Sequence, residues 1–251
     1  MTLSSDLKVL YHLALSPIRG GTHKERLESF YKGQADDYDA FRKRLLQGRE
    51  EMCRSHAFPV NGVWVDVGGG TGANLEFVAD RLAKLRKAYV VDLSPSLLAL
   101  AKKRAEQHGW TNVETVEADA TTYLPADGPA DLVTFSYSLT MIPDWFAAID
   151  QAHRMLAPGG RIGVVDFYVS RKYPADGRQK HGKWTRTFWP AWFGSDNVNP
   201  SPDHLPYLER RFKTVSLLER RAWVPYVPMG KVPYYIYVGE KTAEPDRAPP
   251  T

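Results

Sequence analysis

The segment Asp66-Val67-Gly68-Gly69-Gly70-Thr71-Gly72 joins a β-rich run, Val63–Val67, to a helical stretch, Leu75–Lys84. Glycines in such a turn let the polar part of a ligand approach the backbone closely. The spacing Gly68, Gly70, Gly72 departs from the G-x-G-x-x-G of dinucleotide-binding loops, whose third glycine comes one residue later. Three acids narrow the chemistry. Asp66 stands two residues before the first glycine, Asp92 closes the run Ala88–Asp92 twenty residues beyond Gly72, and Asp119 follows Val113–Glu117. In an open parallel sheet, strand ends of this kind line one crevice. Taken alone, each aspartate reads as a loop or helix cap. Together behind this loop they describe a site for a nucleoside that carries positive charge and no phosphate. S-adenosylmethionine is such a ligand, with a sulfonium and an ammonium. Asp92, with Leu93 beside it, would accept from both ribose hydroxyls. Asp119 would accept from the adenine amino group, with the Ala120 backbone reading the ring. Asp66 would face the methionine ammonium, directly or through water.

The elements that must position these residues alternate. Strand-like runs at Val63–Val67, Ala88–Asp92, Val113–Glu117, Asp131–Ser136 and Arg161–Phe167 are separated by helical stretches. Ser94-Pro95 supplies an N-cap and a proline at the first helical position, and Gly109 ends the helix that follows. Trp145–Leu156 is helical and stops at Pro158-Gly159-Gly160. This alternation predicts an α/β fold with a mainly parallel sheet and helices on both faces. It ends after Phe167. Residues 170–211 are rich in Pro, Gly, Arg and Trp, too long for a plain loop, and predict an insertion with short helices. Thr214–Val224 and Lys231–Glu240 predict a terminal hairpin across a Pro-Gly turn at Pro225–Gly230. Before the first strand, a capping box at Thr22-His23-Lys24-Glu25 opens a helical stretch through Leu45, and another runs near Arg49–His56.

Composition sets outer limits. The chain has 251 residues, 43% hydrophobic and 25% charged, as an ordinary globular domain does. No stretch approaches a membrane span, and Leu7–Ile18 lacks the basic start and cleavage site of a signal peptide. A single cysteine, Cys53, excludes an internal disulfide and any cysteine-based zinc site; no metal site is expected, and a reducing cytoplasm is the default compartment. The net charge is +4, yet Arg171–Arg221 alone holds eleven Lys/Arg and five Asp/Glu, leaving the remainder at about −2. Half of the thirty aromatic residues fall between Gly163 and Val238. Such a segment suits a nucleic-acid surface, a membrane surface, or a solvated face over an ordinary core.

These motifs together resemble the class I S-adenosylmethionine-dependent methyltransferases. Val63–Asn74 is similar to the family's first motif, Tyr89-Val90-Val91-Asp92 to its second-strand acid, and Glu117-Ala118-Asp119-Ala120 to its adenine motif. Leu156-Ala157-Pro158-Gly159-Gly160-Arg161 is similar to the turn before its fifth strand. The resemblance implies a Rossmann-like seven-stranded sheet ending in an antiparallel hairpin. It divides the chain into an N-terminal helical segment over the cofactor (1–60), the binding core (61–169), the basic aromatic insertion (170–213), the hairpin (214–240) and a tail (241–251). By the same similarity Tyr38 and Arg42 would hold the cofactor carboxylate, and Ser136 and Tyr137, ending the fourth strand, would meet cofactor and acceptor.

The flanking segments are similar to one subfamily, the bacterial diacylglycerylhomoserine N-methyltransferases of betaine-lipid synthesis. The residues that carry this are Arg26-Leu27-Glu28-Ser29-Phe30-Tyr31, Tyr38-Asp39, Leu45-Leu46-Gln47-Gly48-Arg49-Glu50, Val91–Leu97 and Ser201-Pro202-Asp203-His204-Leu205-Pro206-Tyr207-Leu208. The resemblance implies three successive N-methylations of a lipid head group by a cytoplasmic protein, peripheral on the inner membrane. Its quaternary product suits an aromatic cage, with Tyr31, Tyr38, Tyr137 and Tyr207 as candidates; His204 and Tyr207 would bind the substrate carboxylate. The basic insertion, with Leu7–Leu15, would dock on anionic lipid, and no nucleic-acid partner is expected. Methylation of another amine or of RNA, and a cofactor-binding adaptor without catalysis, are the competing readings. The glycine spacing and Asp119 argue against a nicotinamide dehydrogenase, and the intact glycines and acids against a decayed pocket.

Overall fold

The computed structural model describes residues 21, 45–55, 60–194, 197–223 and 230–242. Its strands are β1 (Val63–Val67), β2 (Lys87–Asp92), β3 (Val113–Glu117), β4 (Ala130–Ser136), β5 (Leu156–Phe167), β6 (Lys213–Trp223) and β7 (Lys231–Glu240). They form one sheet in the order β3-β2-β1-β4-β5-β7-β6. The first five are parallel, and β7 pairs antiparallel with both β5 and β6. This is the mainly parallel α/β sheet expected from the alternation, with the seven strands and terminal antiparallel hairpin that the resemblance implied. The chain runs outward from β1 to β2 and β3, then returns to β4 on the other side. That reversal opens a crevice at the carboxyl ends of β1 and β4.

The helices are α1 (Arg49–Arg54), α2 (Ala73–Glu76), α3 (Ala79–Leu82), α4 (Pro95–Gln107), α5 (Trp145–Met155), α6 (Lys183–Gly194) and α7 (His204–Arg211), with a 3-10 turn at Leu139–Met141. Every residue of β1 is buried, because helices cover both faces of the sheet. One core joins Trp64, Leu75, Val90, Leu132 and Phe167 to α1 and to Trp189 and Phe193 of α6. The other joins Val65, Phe135, Ile149, Leu156 and Tyr235 to α5 and to Leu205 and Leu208 of α7. Ser94 caps α4 by accepting from the Leu97 N–H, and Asp144 caps α5 through Ala147.

Two local expectations need correction. The stretch Leu75–Lys84 is two short helices broken at Val78, whose backbone leaves the helical region. The fifth strand starts at Leu156, paired with Ala130, before its pairing resumes at Leu132 and Arg161. The register shift absorbs Pro158-Gly159-Gly160, and the Gly159 N–H donates to the Lys241 carbonyl. The insertion holds α6 and α7, as its length demanded. The capping box at Thr22–Glu25, the Leu7–Leu15 helix, the tail beyond 242 and most of the Pro225–Gly230 turn lie outside the described residues.

Candidate functional site

The carboxyl ends of β1, β2 and β4, with the segments that follow β3 and β4, enclose a hollow of about 290 Å³. Gly68, Gly70, Asp92, Leu93, Asp119 and Ala120 line it on one side, Tyr137, Ser138, Met141 and Asp144 on the other. Gly68, Gly70 and Gly72 all have positive φ, so the loop turns through conformations that other residues adopt only with strain. A Cβ on Gly68 would stand 2.4 Å from Ser138 Cβ. Gly72 does not reach the hollow; it lets the loop pack on α4, where a Cβ would meet Ala101 at 3.1 Å.

Asp92 is fixed at the mouth by the backbone. Its Oδ2 accepts from the Gly70 N–H and its Oδ1 from the Ser94 N–H, each at 2.9 Å. Each oxygen keeps acceptor capacity for a ligand hydroxyl. Asp119 is held through one oxygen, Oδ1, by the Thr121 N–H (2.8 Å) and hydroxyl (2.7 Å). Asp144 spends Oδ1 on the Ala147 N–H. The described wall thus carries three carboxylates and no Lys, Arg or His. Such a wall favours a cationic ligand and repels phosphate.

Asp66 does not face the hollow. It is buried beneath the loop, where Oδ1 accepts from the Thr134 hydroxyl at 2.6 Å and both oxygens accept from the Asn74 amide. Burial pushes its pKa up to about 6, while the hydrogen bonds and the Arg49 charge pull it down. Its placement corrects the expected contact with the methionine ammonium: the carboxylate braces the loop from below. Trp64 donates its indole N–H to Thr134, which extends the bracing into β4.

Arg49 ties the segment before β1 to this network, donating to Asn74 Oδ1 at 2.8 Å and to Ser136 Oγ at 3.2 Å. Ser136 therefore supports α1 from the end of β4. Tyr137 has φ +54, rare for an aromatic residue, and its hydroxyl donates to the Gln47 carbonyl at 2.6 Å. Its ring packs on Phe167 at 4.6 Å. It borders the hollow as part of the wall, with its hydroxyl committed elsewhere. Tyr31, Tyr38 and Arg42 lie outside the described residues. Arg49 and Asp144 were not singled out in the sequence. The signal for Asp144 was its place one residue before the Trp145 helix, where it reads as a cap and nothing more.

His204 and Tyr207 also require correction. Both sit on α7 behind Trp145, outside the wall of the hollow. The Tyr207 hydroxyl donates to Asp150 at 2.8 Å. His204 is fully buried against Trp145, and neither ring nitrogen has a hydrogen-bond partner. Burial lowers its pKa from 6.5 to about 3, so the folded protein holds it neutral. Unfolding lets it take a proton, so stability is lost as pH falls from about 6.5 towards 3. His204→Phe removes two unsatisfied polar atoms and this proton linkage. We expect it to be stabilising by about 1 kcal/mol at neutral pH, and by more at pH 4. Thermal melts across that range check this, and a variant less stable than wild type at acid pH would contradict the assignment.

Residues 65–160 match the family model described as a methyltransferase domain. Among curated relatives, the ubiquinone/menaquinone biosynthesis C-methyltransferase UbiE of Hydrogenovibrio crunogenus is 27% identical over 151 residues, 57% of this chain and 59% of the relative. Its counterpart from Roseobacter denitrificans is 28% identical over 171 residues, 66% of this chain and 68% of the relative. Among solved structures, the [4+2]-cyclase SpnF superposes with a TM-score of 0.66 at 16% identity, covering 90% of this chain and 98% of that one. The N-methyltransferase NodS from Bradyrhizobium japonicum, with S-adenosyl-L-homocysteine bound, gives 0.55 at 15% identity, covering 94% and 98%. A cyclase and a methyltransferase on one fold mean that the acceptor chemistry must be argued from the hollow itself.

Proposed function

We propose that this class I S-adenosylmethionine-dependent methyltransferase acts on an amine, and that the amine is the head group of diacylglycerylhomoserine, methylated three times. The observation that carries the amine is Asp144: with Asp92 and Asp119 assigned to the cofactor, it is the carboxylate left for the acceptor in a wall with no Lys, Arg or His among the described lining residues. S-adenosylmethionine, when bound, supplies a sulfonium methyl that the amine lone pair takes in line, the C–S electrons staying on sulfur. A proton leaves to water after each of the first two transfers, and none after the third. An amine needs no protein base for this once desolvation lowers its pKa. The protein's work is alignment and charge compensation. Asp92 would hold the ribose hydroxyls, and Asp119 and Ala120 would hold the adenine. Asp144, across the hollow, offers a carboxylate to the acceptor ammonium and to the quaternary product.

The lipid identity rests on the resemblance in segments 26–50, 91–97 and 201–208. A second reading, methylation at carbon, is favoured by the names of the curated relatives. A ring carbon acceptor must lose a proton to a base, for which the aspartates are the carboxylates among the described lining residues. Incubation with methyl-labelled cofactor and detergent-dispersed diacylglycerylhomoserine, a hydroquinone or RNA separates these readings. We expect mono-, di- and trimethylated lipid in sequence by mass spectrometry. Label on the hydroquinone or RNA with none on the lipid would sink the proposal.

A further inference from the structure

We propose that the outer face of α6 and the loop before it, residues 172–192, docks the protein on an anionic bilayer. The proposal deepens the lipid-acceptor reading and rests on it for its purpose. Its observations are separate. α6 divides its aromatic residues by face: Trp189 and Phe193 are buried against the sheet. Trp184, Phe188 and Trp192 fall at i, i+4 and i+8 and form a row, with ring centroids 5.3 and 5.6 Å apart. Trp184 is 74% exposed and Trp192 47%. Tyr173 in the preceding loop is also 74% exposed, with the Lys172 and Lys180 ammonium groups 5.1 and 5.7 Å from its ring centre.

Charge selects the partner. Arg171 and Arg178 are ion-paired with Asp203 and Glu209. Lys172, Lys180, Lys183 and Arg186 have no carboxylate partner among the described residues, and Asp176 is the sole acid between 171 and 194. Unpaired cations among large exposed rings are what the head-group zone of an anionic membrane accommodates. No described helix is long and apolar enough to cross a membrane. The face is joined to the hollow through the core. Phe188, Trp189, Phe193, Phe167 and Tyr137 form a continuous series of ring contacts, 4.6 to 5.7 Å between centroids, that ends in the wall of the hollow. An RNA partner would meet the same cations and then three carboxylates, which disfavours it.

The test is co-sedimentation with phosphatidylcholine vesicles containing or lacking phosphatidylglycerol. We expect the intact chain to bind the anionic vesicles at low salt and to be released by salt. Trp184→Ala with Tyr173→Ala, and separately Lys172→Glu with Lys180→Glu and Lys183→Glu, should each weaken binding at least about tenfold. None of these residues lines the hollow, so S-adenosylmethionine affinity by calorimetry should be unchanged, which also shows that the variants fold. Wild-type vesicle binding in both variants, or no binding by the parent chain, overturns the proposal. So does labelled RNA that binds through the same lysines while vesicles do not. Methylation of detergent-dispersed lipid needs no docking. Its absence sinks the acceptor reading, whereas vesicle binding is judged by sedimentation alone.

Discussion

Asp92→Ala is expected to lower affinity for S-adenosylmethionine by at least about a hundredfold, which corresponds to two charge-assisted hydrogen bonds at ~1.5–3 kcal/mol each. The carboxylate does two things at once. It holds the Gly70 and Ser94 N–H groups at 2.9 Å, which sets the distance between the glycine loop and the start of α4. Its side chain also lines the hollow. The alanine variant loses the ribose contact and leaves two backbone donors to water. Asp92→Asn keeps one acceptor oxygen but sets an amide donor against a backbone N–H, so a smaller loss of about tenfold is expected. Calorimetric titration with the cofactor reads both variants, and thermal melts separate lost contacts from a displaced loop. An alanine variant that binds within about threefold of wild type would remove the ribose role.

Gly68→Ala is the second large effect. The new Cβ would lie 2.4 Å from Ser138 Cβ, and that atom cannot swing away. Ser138 sits just beyond β4, and its hydroxyl donates to the Val67 carbonyl at 3.0 Å. The backbone at position 68 has φ +66, which adds ~1–2 kcal/mol of strain for any residue with a Cβ. With the clash, a loss of about 3 kcal/mol in stability is expected, along with weakened cofactor binding. Gly128→Ala is the control: φ is +91 there, but a Cβ meets nothing within 4 Å, so only strain acts. Urea denaturation compares the two. Equal losses would mean that Ser138 yields without cost and that the loop is not wedged against β4.

Parts of the site that depend on local geometry were legible before the structure. Asp92 and Asp119 each bond a backbone N–H two residues onward, Ser94 and Thr121. A strand followed by an acid and a turn places such a carboxylate at the strand's mouth wherever the strand lies. The strand and helix order likewise followed from hydrophobic runs, glycine punctuation and the Ser94-Pro95 cap, all short-range signals. The break at Val78 and the early start of β5 were not legible. Both answer to neighbours, since Leu156 joins the sheet only because Ala130 is there to pair with it.

The chain alone determined that a glycine loop and strand-end acids would share one crevice, because the topology of an alternating α/β chain leaves such loops little choice. Only the tertiary structure decided which polar side chains reach that crevice. Asp66 is one residue from the end of β1, but the strand's alternation turns it towards Thr134, and Asn74 covers it. His204 and Tyr207 belong to a helix whose apolar contacts seat it behind Trp145. Arg49 is 87 residues from Ser136 and touches it all the same. The direction of a side chain in a packed interior is set by what lies against it, and those partners are brought in from far along the chain by the folding of the whole sheet.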